Sequence, residues 1–184
     1  SPRPYGNVMA GFLKINNMKI AVFIDGSNFY GKLKELTIKH TSKFDFLGFV
    51  RTLAKEKSLS YIGYYVGQIR KEKGNEKSEL LYANQQKLFA HLQHTIPQIK
   101  IVRGHIQNYN GIYKEKGGDV RIALDIFRLA IENHYDKAIL LSSDSDLIPA
   151  VRMVQARGKE IEYIGFSHNT SMALIKECKV KRLL

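Results

Sequence analysis

Short apolar runs alternate with amphipathic stretches along the chain from Lys19 onward. Residues 19–24 are almost continuously apolar, which is typical of a strand covered on both faces. Residues 59–66 are rich in aromatic and β-branched side chains, which favour a second strand. Further short apolar runs predict strands at 99–102, 137–141 and 160–164, with a short terminal strand near Val180.

Helical spacing of apolar residues separates these strands. It predicts helices over residues 27–36, 79–94, 147–157 and 171–177, and a further helix that Asp45 caps. The clearest helix covers residues 119–133. Its predicted buried stripe consists of Val120, Ala123, Leu124, Phe127, Ala130 and Ile131.

The connections complete an α/β pattern. Residues 67–77 are polar and basic, which predicts a loop, and Asn110-Gly111 between apolar neighbours predicts a hairpin turn. Strands that alternate with helices form right-handed βαβ units around a parallel sheet. We therefore expect a three-layer α/β/α domain, with its ligand site beyond the carboxyl ends of the strands.

Charge and composition narrow the partners. The chain has 184 residues, a formal net charge of +12 and a pI near 9.7. Such a surplus points to a polyanionic partner, nucleic acid first, although a lysine-rich surface also serves solubility alone. Cys178 is the single cysteine, which excludes an intrachain disulfide and favours the cytoplasm. No apolar run approaches the length of a membrane span, so no membrane association is expected.

The placement of the aspartates is the most informative chemical feature. Asp25 directly follows the first strand, Asp144 and Asp146 follow the fourth, and Asp119 opens the helix that leads into the fourth. If the first and fourth strands are neighbours, all four carboxylates converge on one cleft. Crowded carboxylates repel one another unless a cation neutralises them. Their oxygen ligands suit Mg²⁺ or Mn²⁺.

Capping is the alternative role for these acids. Asp119, Asp144 and Asp146 all lie near helix starts, where aspartate is a preferred N-cap. Asp25 favours the metal site, because an acid that abuts an apolar strand has no evident helix to cap. Asp125 belongs to a charge ladder with Arg121, Arg128 and Glu132, which we interpret as an exposed, structural helix face.

Three segments together carry a family resemblance: VFIDGSNFY at 22–30, KGGDVRIALDI at 116–126 and LLSSDSDLIPAV at 140–151. Their order and spacing resemble the NYN domain, in particular its LabA-like branch within the PIN-like nuclease superfamily. The resemblance covers residues 19–177. Haloacid-dehalogenase phosphatases fit poorly, because Phe23 stands where their D-x-D nucleophile motif would begin relative to Asp25.

The resemblance implies a sheet of order 3-2-1-4-5 and a metal-dependent ribonuclease. Asp25, Asp119, Asp144 and Asp146 correspond to its acidic ligands, and Asn28 to the polar residue that steadies them. Gly118 departs from the branched residue that often precedes the second acid. Some PIN-like domains keep the fold without activity, so a non-catalytic RNA-binding or protein-interaction module is the alternative. The nuclease domain is expected at 18–184, after an N-terminal extension at 1–17 that is in part not native.

Two segments on the predicted acidic edge are candidates for holding single-stranded RNA. Basic residues there can follow phosphates, and tyrosines can stack on unpaired bases. The predicted substrate-binding residues are Arg70, Lys71, Lys73, Tyr109, Tyr113 and Lys116. The sequence leaves open which RNA is cut, whether cleavage is internal or from an end, how many metal ions bind, where the native chain starts, and whether the protein forms a homodimer.

Overall fold

Alternating strands and helices build one central sheet with helices on both faces. The computed structural model describes residues 18–35, 44–55, 57–109, 112–167 and 170–184, and for 105–109 and 112–116 it describes the backbone alone. The strands of the described residues are β1 (Lys19–Asp25), β2 (Ser58–Gly67), β3 (Lys100–Tyr109), β4 (Ile112–Lys116), β5 (Lys137–Leu141), β6 (Glu160–Gly165) and β7 (Val180–Leu183). The helices are α1 (Gly26–Glu35), α2 (Phe46–Ala54), α3 (Glu76–Thr95), α4 (Gly118–Ile131), α5 (Ile148–Gln155) and α6 (Met172–Glu177).

The strand order across the sheet is β4-β3-β2-β1-β5-β6-β7. Six of these strands are parallel to their neighbours, and β4 pairs antiparallel with β3 as a hairpin. The predicted order 3-2-1-4-5 is confirmed, since its fourth and fifth strands are β5 and β6. The short terminal strand near Val180 is also present, as β7.

The centre of the sheet is buried on both faces. In β1, Val22 and Ile24 pack into one apolar cluster, whereas Ala21 and Phe23 pack into the cluster on the opposite face. This double burial explains why the β1 sequence has no alternation of apolar and polar residues. Among the described residues, no helix combines the length and apolar character needed to cross a bilayer.

The caps of the helices account for several of their boundaries. Asp45 accepts a hydrogen bond from the Gly48 amide at 2.9 Å, so its predicted role as the N-cap of α2 is confirmed. Asn75 caps α3 through the Ser78 amide. α3 therefore begins at Glu76, three residues before the predicted start.

Two sequence expectations about local structure are wrong. The third strand does not end at Val102, because β3 continues without a break into the hairpin; the Asn110-Gly111 turn itself lies outside the described residues. The predicted buried stripe of α4 is wrong at three of its six positions, whereas Ala130 is buried and Ala123 and Phe127 pack against the core. Ile122, Ile126, Leu129 and Ala130 face the core, whereas predicted stripe members are exposed: Val120 by 56%, Leu124 by 62% and Ile131 by 49%.

Candidate active site

The neighbouring strands β1 and β5 bring the aspartates to one edge of the sheet. Ile24 pairs with Leu141, so β1 and β5 end side by side at the same edge of the sheet. Asp25 is the last residue of β1, and Ser142 to Asp144 follow directly after β5. The adjacency on which the predicted cleft depends is therefore present.

Three carboxylates come together at this edge. Asp119, Asp144 and Asp146 each offer an oxygen atom, and these atoms all lie within 4.8 Å of one another. Asp119 lies in the first turn of α4, where the helix dipole favours a negative charge. Gly117 precedes the helix with a φ of 83°, a left-handed conformation that suits glycine. Asp144 caps the short 3₁₀ turn Ser145–Leu147 through the Asp146 amide at 2.9 Å.

Asp25 lies beside this trio and has its own hydrogen-bond partners. Its carboxylate accepts hydrogen bonds from the Asn28 backbone amide and from the Ser142 hydroxyl, each at 3.0 Å. Burial raises the pKa of Asp25, and the nearby Asp144 adds to this, while the hydrogen bonds oppose it. The Asn28 contact also shows that Asp25 caps the start of α1. The sequence argument that Asp25 has no helix to cap is therefore wrong.

Serines link the acids to each other. The Ser142 hydroxyl donates to Asp25 and accepts from the Asp144 amide at 3.1 Å. The Ser143 hydroxyl donates to the Asn28 side-chain oxygen at 3.2 Å, which ties α1 to the segment after β5. We did not predict either serine as a site residue. Their position directly before the two acids of the third motif was the available signal.

An open cavity of about 290 Å³ runs over these groups. Its wall includes Asp25, Asp119 and Asp144, together with the Tyr65 ring from β2. Asp146 is exposed at the rim. The predicted four acids thus share one site, with three carboxylates closely grouped and Asp25 next to them.

The donor set fits a hard divalent cation. Around an octahedral Mg²⁺, oxygen ligands lie at about 2.1 Å, so neighbouring ligands are roughly 3 Å apart and opposite ligands roughly 4.2 Å apart. Oxygen atoms within 4.8 Å of one another need only small side-chain rotations to meet those distances. The residues offered are all oxygen donors, which is the chemistry that Mg²⁺ and Mn²⁺ prefer.

The comparisons with known proteins identify the family. The NYN domain model matches residues 19–182, nearly the whole chain. The chain belongs to the NYN domain family. A crystal structure of a protein of unknown function from Vibrio parahaemolyticus has the same fold, with a TM-score of 0.68 and 24% identity over 92% of this chain and 94% of that one. No curated protein matches the chain. NYN domains are generally nucleases, and PIN-like nucleases usually use divalent metal ions.

The basic loop of this NYN domain leaves the same sheet edge as Asp25, because it follows β2, the neighbour of β1. Ser78 donates to the Arg70 carbonyl at 2.8 Å, and Lys71 lies 3.8 Å from Glu79. These contacts fasten the loop to α3. Arg70, Lys71 and Lys73 do not line the acidic cavity.

The hairpin of β3 and β4 directly precedes Gly117 in the chain, and β4 is the edge strand of the sheet on that side. Its backbone pairs Tyr109 with Ile112, Asn108 with Tyr113 and His105 with Lys116. The side chains of Tyr109, Tyr113 and Lys116 lie outside the described part of the structure. Their predicted contact with substrate stays a prediction.

Asp125 is more deeply engaged than its sequence context indicates. The expected ladder is present, since Arg128 pairs with Asp125 at 3.1 Å and with Glu132 at 3.0 Å. Asp125 also accepts a hydrogen bond from the Tyr65 hydroxyl at 2.9 Å, and its side chain is only 21% exposed. The interpretation of this position as exposed is wrong, whereas its interpretation as structural stays a prediction. Asp125 is not part of the carboxylate trio.

Proposed function

We propose that this protein is a divalent-metal-dependent ribonuclease that hydrolyses RNA phosphodiester bonds, in the LabA-like branch of the NYN family. The observation that carries the proposal is the carboxylate trio at the carboxyl ends of β1 and β5, in a chain that matches the NYN domain over residues 19–182. The net charge of +12 supports a polyanionic substrate.

In this proposal, Asp119, Asp144 and Asp146 hold Mg²⁺ or Mn²⁺, and Asp25 completes the acidic wall. A bound divalent ion activates water and stabilises negative charge on a phosphate. Asp25 keeps capacity to face the cavity, because its two carboxylate oxygens together offer four lone pairs, and the hydrogen bonds from Ser27, Asn28 and Ser142 use three of them. Asn28 positions Ser143, and Ser142 positions both Asp25 and the Asp144 backbone.

The proposal extends to substrate and location. The substrate is single-stranded RNA, held in part by Arg70, Lys71 and Lys73 of the loop after β2 and by Tyr109, Tyr113 and Lys116 of the hairpin. The location is the cytoplasm, a reducing compartment that suits the single cysteine, Cys178, whose buried thiol has a pKa raised to about 11 by burial, then by Glu177.

The test is cleavage of a labelled single-stranded RNA with Mn²⁺, repeated with EDTA. Wild-type protein should cleave only with the metal. Asp144→Asn should reduce the rate at least about 100-fold, because it removes one anionic ligand from the trio. Asp45→Asn is the matched control. It makes the same chemical change far along the chain, and asparagine caps a helix as well as aspartate does.

The outcomes separate the two functions that remain in view. Cleavage by Asp144→Asn at the wild-type rate, with Mn²⁺ bound as tightly as before, would contradict the assigned ligands. Metal-independent RNA binding without cleavage by the wild-type protein would instead support the alternative, a non-catalytic PIN-like RNA-binding module. Equal loss in the Asp45→Asn control would indicate a general effect on folding.

A further inference from the structure

A second and larger cavity lies beside the acidic one, on the same face of the sheet. It is a groove of about 750 Å³ between α4 and the strands β2 and β3. Arg121, Asp125 and Arg128 line it from the helix, and Tyr61 and Lys100 line it from the strands. Clefts of roughly 300–1,000 Å³ are typical of binding sites in proteins.

The shape of the groove follows from the strand register. Gly63 pairs with Lys100 and Tyr65 pairs with Val102, so alternation places all four residues on the face that α4 covers. Gly63 lets the rings on either side of it come together. A Cβ atom there would lie 2.6 Å from the Tyr65 ring and 2.8 Å from the Tyr61 ring. The tyrosine hydroxyls are 3.0 Å apart, and Tyr61 lines the groove beneath α4.

Tyr65 connects the groove to the acidic cavity. Its ring lines the cavity that holds Asp25 and Asp119. Its hydroxyl bonds to Tyr61 and to Asp125, both of which line the groove. The two cavities therefore lie on either side of Tyr65, and successive residues of α4 line them, Arg121 the groove and Ile122 the acidic cavity.

The charges of the two cavities are opposite. Three cations line the groove on the α4 face, Lys100, Arg121 and Arg128, against the one carboxylate of Asp125, a balance of +2. The Arg103 side chain points to the opposite face, because Arg103 pairs with Val66, which packs into the other apolar cluster. Arg128 divides its contacts between Asp125 and Glu132, and the Arg103 guanidinium lies 5.1 Å from the centre of the Phe89 ring. Within the described part of the chain, Lys100 pairs with no carboxylate. This balance suits a polyanion and disfavours an acidic metal site.

We propose that this groove carries the phosphate backbone of single-stranded RNA to the acidic cavity, an inference that rests on the proposed ribonuclease function. Lys100, Arg121 and Arg128 contact the phosphates, and Tyr65 marks the point where the RNA strand enters the acidic cavity. The groove is a binding surface additional to the loop after β2 and to the hairpin. It holds the RNA on the side of α4 that faces β3.

The test measures binding without cleavage. Anisotropy of a labelled single-stranded RNA is recorded in EDTA between 50 and 200 mM salt, so that affinity does not depend on catalysis. Lys100→Glu with Arg121→Glu should weaken binding at 50 mM salt by at least about tenfold. It should also lower the slope of log affinity against log salt by about 1.4, since each phosphate contact on a single strand contributes about 0.7.

The matched control reverses Lys176 and Lys179, two exposed lysines next to β7 at the opposite edge of the sheet. Both double variants change the formal net charge from +12 to +8, because each reversal removes one positive and adds one negative charge. The control should bind within about twofold of wild type at 200 mM salt, where distant charges are screened. Lys100→Gln with Arg121→Gln repeats the test with a milder change if the charge-reversal variant unfolds at a much lower temperature than wild type.

Each result decides the proposal. Equal weakening in both double variants, unchanged affinity in the groove variants, or absence of RNA binding by wild-type protein would overturn it. Preferential binding of an acidic polypeptide such as polyglutamate over RNA would overturn it as well, and would make the groove a protein-docking surface. Groove-dependent binding without Mn²⁺-dependent cleavage would leave the groove intact and refute the nuclease. Mn²⁺-dependent cleavage by the wild-type protein, with unchanged RNA binding in the groove variants, would support the nuclease and refute the groove.

Discussion

Asp125 joins the helix α4 to the sheet through a hydrogen bond from the buried Tyr65 hydroxyl. Its removal should therefore lower the free energy of unfolding more than is usual for a residue on a charged helix face. Its carboxylate accepts from Tyr65 at 2.9 Å and pairs with Arg128 at 3.1 Å. Burial raises the pKa of Tyr65, and its neighbours Tyr61 and Asp125 raise it further, so the phenol stays a neutral donor at any ordinary pH. Asp125→Ala therefore removes the acceptor and leaves the donor in place.

The magnitude follows from what each partner retains. A hydrogen bond to a charged group contributes about 1.5–3 kcal/mol to stability. The lower half of that range applies, because the Tyr65 hydroxyl keeps Tyr61 as a partner at 3.0 Å and is not left unsatisfied. The exposed pair with Arg128 adds less than about 0.5 kcal/mol, since Arg128 keeps Glu132. We expect Asp125→Ala to lower the free energy of unfolding by about 1.5–2 kcal/mol.

Urea unfolding in EDTA measures this change without interference from metal binding. Glu132→Ala is the control, because it removes the other carboxylate of Arg128 at an exposed position and should cost about 0.5 kcal/mol or less. A double-mutant cycle of Asp125→Ala with Tyr65→Phe should give a coupling of about 1 kcal/mol. A loss for Asp125→Ala no larger than for Glu132→Ala, together with zero coupling, would refute the reasoning.

Two further variants test the acidic edge and a buried ion pair elsewhere. Asp25→Asn should abolish Mn²⁺-dependent cleavage, yet its free energy of unfolding should lie within about 0.5 kcal/mol of wild type. Asp25→Ala should lower the free energy of unfolding by about 1 kcal/mol more, because only asparagine can still accept the hydrogen bond from the Asn28 backbone amide. Equal stability of the two variants would contradict the capping role. Burial raises the pKa of Glu162, but hydrogen bonds from Lys137 and Arg182 outweigh it and the pKa lies below its usual value. Its contribution is therefore present above the unfolded pKa of about 4.3 and lost as pH falls through the folded value. Glu162→Gln should cost about 3 kcal/mol at pH 7 and progressively less below pH 4 in urea unfolding, and a pH-independent difference would argue against the ion pair.

The order of the strands and the edge that carries the acids could be predicted from the sequence, because both follow from local patterns. A continuous apolar run identifies β1, and an acid directly after it must lie at a carboxyl edge. Right-handed crossovers restrict which strands are neighbours. The adjacency of β1 and β5 then brings Asp25 close to Asp144 without any knowledge of side-chain packing.

The face of α4 could not be predicted in the same way. Apolar residues occupy most of its circumference, so two stripes at helical spacing compete for the core. Periodicity detects both stripes but does not say which one meets the sheet. The choice falls to long-range packing, which buries Ile122 and Ile126 and leaves Val120 and Leu124 in solvent.

The role expected for Asp25 depended on the residue at which the helix α1 begins. The sequence placed the start of α1 at Ser27, which left Asp25 between a strand and a loop. In the structure α1 begins at Gly26, so Asp25 is both the end of β1 and the cap of the helix. Capping and facing the acidic cavity are compatible, because the hydrogen bond from Asn28 uses one oxygen atom and leaves lone pairs free.

The groove was beyond sequence reasoning because its residues meet only through register and packing. Tyr61, Lys100 and Arg128 lie on three different elements and share no local motif. Their juxtaposition bears on the electrostatics of the acidic site. Two carboxylates within 4.8 Å of one another repel by at least about 1 kcal/mol in water and by at least about 3.5 kcal/mol at an effective dielectric constant of 20. A phosphate brought to the same place meets a similar repulsion. A divalent ion offsets the charge of the carboxylates at the reacting phosphate alone. The phosphates on either side of it need cations of their own, and the basic groove places such cations next to the acidic cavity, on the far side of Tyr65.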